Sequence, residues 1–339
     1  MKSPRLPRRQ RGLTLVELLV ALVIGLVVVI AAIATLLVGR TGFTTVDTTS
    51  QMVDRERFAI DTLSRVIAQA GFEDIGGDTY ITRAVAVRLP APLNDPEPDV
   101  FGWNDAFYTQ LDNLAITTST KIVDANRDGK CSVNDTSCKN GSDILVVRFQ
   151  GSGQPADGTM VNCRGDAEPG MTDQNLDRRA ANILYTARDA NTGEPGLYCA
   201  YYNFTANAWV AGQQLIEGVE SLQILYGTDN VTPNTAPPAA TGNDTIVDRW
   251  LRADQLKVIA NTAGTRENWR RVRAVRVGMV LRGAVGSAQE IAAATVNPLG
   301  APFTSVNDKG TALAVAADGR LRRVVSFTVH IRNDLGTRS

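Results

Sequence analysis

Acidic and amide side chains recur at every second position in one short stretch of the sequence. The run D-A-N-R-D-G begins at Asp124, and a further acid, Asp135, stands at the twelfth place counted from it. Gly129 permits the tight turn that brings the first oxygens to one side, and Lys130 would contribute its backbone carbonyl. An all-oxygen set suits a hard cation. We therefore predict a calcium site formed by Asp124, Asn126, Asp128, Lys130 and Asp135.

The layout of this stretch resembles an EF-hand loop. Because Asp135 replaces the usual glutamate, it resembles dockerin-type loops more than calmodulin-type ones, and the shorter acid would reach the ion with one oxygen rather than two. No pair of amphipathic helices flanks the loop in the sequence; Cys131 and Cys138 would staple it instead. The alternative is a polar turn without a metal.

A single carboxylate interrupts a long apolar run near the N-terminus. The 26 residues from Leu13 to Val38 include one charged side chain, Glu17. As a helix this run would rise ~39 Å, against a hydrocarbon thickness of ~30 Å, so it predicts a membrane-spanning helix. The preceding residues 1–12 carry five basic side chains and no acid, which places them on the cytoplasmic side. An acid in mid-membrane costs roughly 2.5–3.5 kcal/mol, so Glu17 is a functional candidate that needs a partner.

Four cysteines follow the apolar run, in the part of the chain predicted to be exported. An even number in an oxidising compartment predicts two disulfides. Three pairings are possible, and proximity along the sequence favours Cys131–Cys138 and Cys163–Cys199. No C-x-x-C motif occurs, so a redox-active pair is not expected.

The sequence lacks the residues that several functional classes require. The chain has 35 basic and 35 acidic side chains, a balance that gives no sign of bulk nucleic-acid affinity. His330 is its one histidine and has no nucleophile motif beside it, and neither a phosphate-binding G-x-x-x-x-G-K-[ST] loop nor a zinc spacing is present. We therefore predict a protein that is not an enzyme and binds no nucleotide.

The helix is expected to continue beyond the apolar run. Apolar residues at three- and four-residue spacing predict an amphipathic continuation to Ala70, ended by Gly71; these residues are Met52, Phe58, Leu63, Val66, Ile67 and Ala70. Strands are predicted at 84–89, 142–150, 180–188, 196–203, 215–229, 270–282 and 321–331, a short helix at 250–260 and a long loop at 230–248. We interpret the arginine-rich strand 270–282 as an edge or solvent face of a sheet. Strand 321–331, whose odd-numbered residues form its apolar face, is predicted to be central or penultimate and to pack on the helix.

The N-terminal pattern R-G-[LTLVE]-LLVAL resembles the prepilin signal of type IV pilins and of secretion-system pseudopilins. The resemblance implies cleavage between Gly12 and Leu13 by prepilin peptidase, methylation of the new N-terminus, and a role for Glu17 in assembly, opposite the N-terminal amine of a neighbouring subunit. Leu13 departs from the usual phenylalanine. The competing interpretations are a secretory signal peptide, for which the apolar core is too long, and a plain anchor in which Glu17 has no role.

Three further features narrow the resemblance to the PilW family of minor pilins. The segment R-E-R-F-A-I-D-T-L-S-R-V-I-A-Q-A-G-F at 55–72 is similar to PilW proteins and to pseudopilin J. The block E-G-V-E-S-L-Q-I-L-Y-G at 217–227 and the spacing of Cys163 from G-L-Y-Cys199 resemble the PilW group in particular.

This resemblance implies an α+β fold of the type IV pilin kind, with a long N-terminal helix packed on an antiparallel sheet with long loops. The expected division is a leader at 1–12, a transmembrane and filament-core helix at 13–38, its amphipathic continuation at 39–72, and an exported sheet domain at 73–339. The expected location is the inner membrane of a Gram-negative bacterium, with a single pass and a cytoplasmic N-terminus, and afterwards the extracellular pilus.

The implied function is that of a minor pilin that primes assembly of a type IV pilus and sits at its tip. Expected partners are other minor pilins, the major pilin, prepilin peptidase, the inner-membrane assembly platform and a large tip adhesin. The sequence leaves open whether the filament serves twitching, adhesion, DNA uptake or secretion. Alternatives are a J-like minor pseudopilin of type II secretion and an anchored surface module that binds DNA or carbohydrate.

Overall fold

A long N-terminal helix lies against antiparallel sheets, which is the predicted α+β class. The computed structural model describes residues 14–72, 98–106, 140–170, 179–203, 208–238, 244–288 and 293–333. The strand predicted at 84–89 lies outside these ranges.

Helix α1 runs without a break from Leu15 to Ala68, 54 residues. At 1.5 Å per residue it is about 81 Å long. After the helix the chain turns through Gly71, whose φ of 71° is in the left-handed region that glycine adopts without strain. The N–H of Gly71 donates to the carbonyl of Arg148 at 3.0 Å, which fixes this turn to a strand. The helix ends two residues before the predicted Ala70, and the predicted glycine stop is present.

The strands form two main sheets in place of the single expected one. The first has five antiparallel strands in sequential order: β1 (Val100–Trp103), β2 (Ile144–Phe149), β3 (Ala180–Arg188), β4 (Pro195–Asn203) and β5 (Ala208–Glu217). The second has four antiparallel strands in the order β11-β8-β6-β7: β6 (Val219–Thr228), β7 (Arg249–Leu251), β8 (Val272–Arg282) and β11 (Arg322–His330). The strands predicted at 142–150, 180–188, 196–203, 270–282 and 321–331 are confirmed.

Smaller elements complete the described chain. Strands β9 (Ala294–Val296) and β10 (Leu313–Val315) pair with each other, and helices α2 (Ala253–Leu256) and α3 (Thr262–Arg270) lie between β7 and β8. Short 3-10 turns occupy Ala301–Phe303 and Lys309–Thr311. The helix predicted at 250–260 was wrong in extent, because its first residues belong to β7 and its helical part is the four residues of α2.

The strand predicted at 215–229 is in fact two strands that belong to different sheets. The break falls at Gly218, whose φ is 82°. The Gly218 N–H donates to the carbonyl of Pro195 at 2.7 Å, and the Gly218 carbonyl accepts from the Arg282 N–H at 2.8 Å. One residue therefore bonds to β4 of the first sheet and to β8 of the second. A left-handed residue reverses the backbone enough for the chain to leave one sheet and enter the next.

Two predicted strand positions were wrong. The arginine-rich strand β8 is interior, between β11 and β6, and β11 is an outermost strand of the second sheet as far as the described strands show. The predicted faces of β11 are correct: Val325 and Val329 are buried, whereas Ser326, Thr328 and His330 are exposed. Alternation along the sequence sets which face is buried, but strand order depends on contacts between distant segments.

The C-terminal half of α1 packs on β8 and β11 through one apolar stripe. Its members are each at most 3% exposed: Met52, Ala59, Leu63, Val66, Ile67 and Ala70. Phe58, expected in this stripe, is instead 52% exposed. One residue turns a helix by about 100°, so Ala59 takes the inward position and Phe58 is turned away from the buried stripe.

Polar contacts add to this packing of the helix. Arg55 pairs with Glu217 of β5 at 2.7 Å, and Glu56 pairs with Arg323 of β11. The side-chain amide of Asn333 donates to the carbonyl of Ala68 at 2.9 Å. These contacts span α1 from residue 55 to its end, so the C-terminal half of the helix and both sheets form one body.

Candidate functional site

The first turn of α1 is closed by reciprocal hydrogen bonds between Thr14 and Glu17. The Glu17 N–H donates to the Thr14 hydroxyl oxygen at 3.3 Å, and the Thr14 N–H donates to Glu17 Oε2 at 3.0 Å. The Thr14 hydroxyl donates to the same carboxylate oxygen at 3.1 Å. This capping box satisfies N–H groups that the start of a helix leaves without helical partners. Within the described residues Glu17 Oε1 makes no hydrogen bond, so that oxygen can accept from a donor outside this chain.

The surface around Glu17 is apolar on every side of the helix. From Leu15 to Val38 the large apolar side chains are 52–75% exposed, and Glu17 is the one charged residue among them. Within the described part of the chain, α1 is the one helix long and apolar enough to cross a membrane. Twenty-four residues of this kind cannot remain in water, because soluble proteins rarely expose apolar patches of more than a few hundred Å². This half of α1 is therefore built for lipid or for other helices.

A lone carboxylate on such an apolar helix is suited to binding a cation from another chain. Its charge is costly in a low-dielectric medium unless a cation and hydrogen-bond donors accompany it. The cap supplies donors through Thr14, but the described apolar turns from Leu15 to Val38 contain no Lys or Arg. The site can therefore bind an ammonium or guanidinium from another chain, and it can discriminate against helices that present none.

The other predicted site residues divide into two groups. The cleavage residues Gly12 and Leu13 lie outside the described ranges, as do Cys131, Cys138 and the whole calcium loop: Asp124, Asn126, Asp128, Lys130 and Asp135. Over the ranges that the structure describes, no group of three or more histidine, cysteine or acidic side chains is arranged to hold a metal. The calcium site therefore remains a prediction from sequence.

The disulfide predicted between Cys163 and Cys199 is present, with a Cα–Cα distance of 6.4 Å. It joins the loop after β2 to β4. Val161 lies two residues before Cys163. The side-chain amide of Gln69 donates to the Val161 carbonyl at 3.1 Å and accepts from the Val161 N–H at 2.9 Å. The disulfide therefore also helps to hold the end of α1, because the same short loop contacts both.

A buried pair of carboxylates was missed in the sequence. Asp143 accepts the N–H groups of Asp105 and Ile224 at 3.1 and 2.7 Å, and Asp308 accepts from the side-chain amide of Asn104 at 2.9 Å. Burial raises the pKa of Asp308 to about 6 and raises the pKa of Asp143 well above its usual range, an effect that the nearby Asp308 charge increases. Asp143 holds the loop at Asp105 to β6, and Asp308 holds Asn104, which in turn accepts from the Ala253 N–H at the start of α2. We therefore assign both carboxylates a structural role. No sequence signal marked them, because Asp143 precedes an ordinary apolar strand.

The arginines near and in β8 have partners within the fold. Arg273 lies 3.4 Å from the buried Asp229, and Arg276 lies over the ring of Phe303 at 4.5 Å from its centroid. Arg271 donates to the carbonyls of Asn230 and Pro238. Guanidinium groups engaged in this way are poorly available to phosphates, which counts against nucleic-acid binding at this strand.

Comparisons with known proteins match both ends of the chain. Residues 184–333 match the family described as "Type IV Pilus-assembly protein W", and residues 7–33 match the "Prokaryotic N-terminal methylation motif". Among solved structures, the chain is similar to a type IV-like pilin from Thermus thermophilus, with 14% identity over 58% of this chain and 81% of that one and a TM-score of 0.31. No curated protein matches the chain. The family match begins inside β3 and includes the remaining described strands.

Proposed function

We propose that this chain, whose residues 184–333 match the PilW family and whose residues 7–33 match the N-terminal methylation motif, is a PilW-type minor pilin that primes assembly of a type IV pilus and sits at the pilus tip. It is inserted in the inner membrane by the apolar half of α1, cleaved between Gly12 and Leu13 by prepilin peptidase, and methylated at Leu13. It then joins other minor pilins on the inner-membrane assembly platform.

One observation carries the mechanism: Glu17 is the one charge on an exposed apolar helix surface that extends from Leu15 to Val38. When such helices bundle, each apolar face finds apolar neighbours at any axial position, so apolar packing alone sets no register. A carboxylate does, because it is stable in the bundle where a cation lies opposite it. The N-terminal ammonium of a neighbouring processed subunit supplies that cation. Glu17 thus fixes the depth at which the helix enters the bundle.

The depth of the helix in the bundle also sets the position of the exported domain along the filament axis. Because α1 is continuous and its exported half is fixed to both sheets, an axial shift of the helix moves the domain by the same amount. A large domain with many loops also fits more easily at the end of a filament than in its closely packed body, which supports the tip position. The major pilin below it and a large tip adhesin above it are the partners that this position implies.

Calcium binding at Asp124–Asp135 is part of the proposal on sequence grounds alone. Calorimetric titration of the purified chain with calcium, compared with the Asp124→Asn variant, tests it. Heat of binding in the wild type that is reduced in the variant supports the site, and no heat in either chain contradicts it.

The pilus function is tested by counting surface pili on cells that lack the gene and carry either the wild-type chain or Glu17→Ala. We expect few pili without the gene, rescue by the wild type, and little rescue by Glu17→Ala although that chain still reaches the membrane. Unchanged pili together with impaired exoprotein secretion would point instead to a J-like pseudopilin. Unchanged pili and unchanged secretion would contradict both assembly functions.

A further inference from the structure

A short, rigid turn beside α1 holds an apolar side chain out of the fold. In residues 283–288, the N–H and the hydroxyl of Ser287 donate to the Ala284 carbonyl at 3.2 and 2.7 Å. The Ser287 hydroxyl oxygen also accepts from the Leu321 N–H at 2.9 Å, and the Ala288 N–H donates to Gly319 at 3.1 Å. Val285 stands between these contacts and is 73% exposed. Since its backbone is fixed on both sides, it cannot fold inward.

The turn lies close to the end of the apolar run. The Thr45 hydroxyl donates to the Ser287 carbonyl at 3.1 Å, and the side chain of Thr48 approaches Gly283 so closely that a Cβ there would lie 2.6 Å from it. Thr45 is seven residues beyond Val38, which is about 10 Å along the helix axis. The headgroup region extends roughly 5–8 Å beyond the hydrocarbon on each side of a bilayer. An upright helix would therefore hold the turn just outside the headgroup region, but an apolar run longer than the hydrocarbon tilts, which lowers the turn toward the headgroups.

The other side of α1 carries apolar side chains at the same height. Phe43 is 80% exposed and Val46 is 71% exposed. They are three residues apart, so they are neighbours on the helix surface. Phe43 lies about 200° around the axis from Thr45, which contacts the turn. Apolar side chains therefore lie on two sides of the helix near the predicted membrane surface.

We propose that Val285, Phe43 and Val46 form an apolar collar that inserts into the headgroup region of the outer leaflet of the inner membrane. Its ligand is the phospholipid interface, and the inference rests on the membrane-anchored precursor in the proposed function. Contact on two sides of α1 resists further sinking of the domain and any change in the tilt of the helix. The collar therefore holds the domain at one height and Glu17 at one depth before assembly.

The test places an environment-sensitive fluorophore at the collar of the full-length chain. Val285→Cys is labelled with such a dye, reconstituted in vesicles of phosphatidylethanolamine and phosphatidylglycerol, and exposed to lipids that carry a quenching spin label. Val306→Cys is the matched control: Val306 is also an exposed valine in a turn, 97% exposed. Its turn follows Phe303, which packs on Arg276 of β8, six residues along the strand from Arg282, where the turn at 283–288 begins. The unsubstituted chain measures any label at native cysteines.

We expect the label at position 285 to emit at shorter wavelength and to lose fluorescence when the spin-labelled lipid is added, while the label at position 306 does neither. A carbonate wash of the same vesicles separates the possible failures. If the chain resists the wash and the position 285 label behaves like the position 306 label, the collar is overturned and the anchor stands. If carbonate extracts the chain, the membrane anchor fails and the collar fails with it. Because no other kind of pilin is present, contacts with partner pilins cannot produce the expected signal.

Discussion

Two substitutions at the start of α1 separate the charge of Glu17 from its part in the helix cap. In Glu17→Gln the charge is lost, but the amide oxygen can still accept from the Thr14 N–H, because glutamine and glutamate both serve at this position of a capping box. In Thr14→Ala the carboxylate remains, but the hydroxyl oxygen that accepts from the Glu17 N–H is lost. If the charge selects the partner helix, Glu17→Gln is the damaging change. If the cap is what assembly requires, Thr14→Ala is.

The expected magnitudes differ enough to be distinguished. Loss of an N-cap side chain costs about 1 kcal/mol of helix stability, roughly a factor of five in an equilibrium. Removing one partner of a buried ion pair leaves the other charge unpaired and costs about 3–5 kcal/mol, roughly two to three and a half powers of ten. We therefore expect Thr14→Ala to lower incorporation by a small factor and Glu17→Gln to reduce it at least a hundredfold.

The assay is the amount of each variant in sheared surface pili, divided by its amount in the inner membrane of the same cells. Division by the membrane pool removes differences in expression and insertion. Incorporation of Glu17→Gln within a few-fold of the wild type would refute the role of the charge. An equal, large loss in both variants would refute its separation from the cap.

Three further predictions concern the exported domain, each measured as unfolding of the full chain in detergent. Gly218→Ala should lower the free energy of unfolding by more than about 2 kcal/mol, because a left-handed alanine costs roughly 1–2 kcal/mol and its Cβ would lie 2.6 Å from the Arg282 carbonyl. Gly193→Ala is the control, since Gly193 is also left-handed but has nothing within 4 Å of the position that a Cβ would take, and an equal loss of stability in both variants would contradict the close contact. Burial raises the folded-state pKa of Asp308 to about 6, so its contribution to stability is lost as the pH rises through that value. The stability of Asp308→Asn relative to the wild type should therefore increase between pH 4 and pH 7, and a difference that does not depend on pH would count against the raised pKa. Hydrogen bonds from Arg320 and Arg282 lower the pKa of Glu194, so Glu194→Gln should lower the free energy of unfolding by roughly 1 kcal/mol at pH 7 and leave it unchanged near pH 3. A loss of stability that persists at pH 3 would contradict this cause.

The features that sequence predicted correctly are those in which neighbouring residues carry the information. The apolar run, the single Glu17 and the glycine stop at Gly71 are each readable within a few turns of one helix. The same holds for the alternation that buries Val325 and Val329 in β11. Such patterns reflect local geometry and burial, so they survive into the folded chain.

The features that sequence missed depend on contacts between distant segments. Gly218 stands inside an apolar run, and what makes it a corner is the pair of bonds to Pro195 and Arg282 on different sheets. Phe58 and Ala59 are adjacent apolar residues, and only the position of the sheet decides which one is buried. The interior place of β8 has the same origin, because its arginines are accommodated by Asp229, Phe303 and other partners that lie far away in the sequence.

The chemical state of the N-terminus tests most directly whether this chain is a processed pilin subunit. Sheared pili are purified, the chain is isolated from them, and its N-terminal peptide is identified by mass spectrometry. We expect a peptide that begins at Leu13 and carries one methyl group on its amine. A chain that begins at Met1, a chain cleaved beyond Ala34 as a secretory signal would be, or the absence of the chain from pili would contradict its assembly as a pilin.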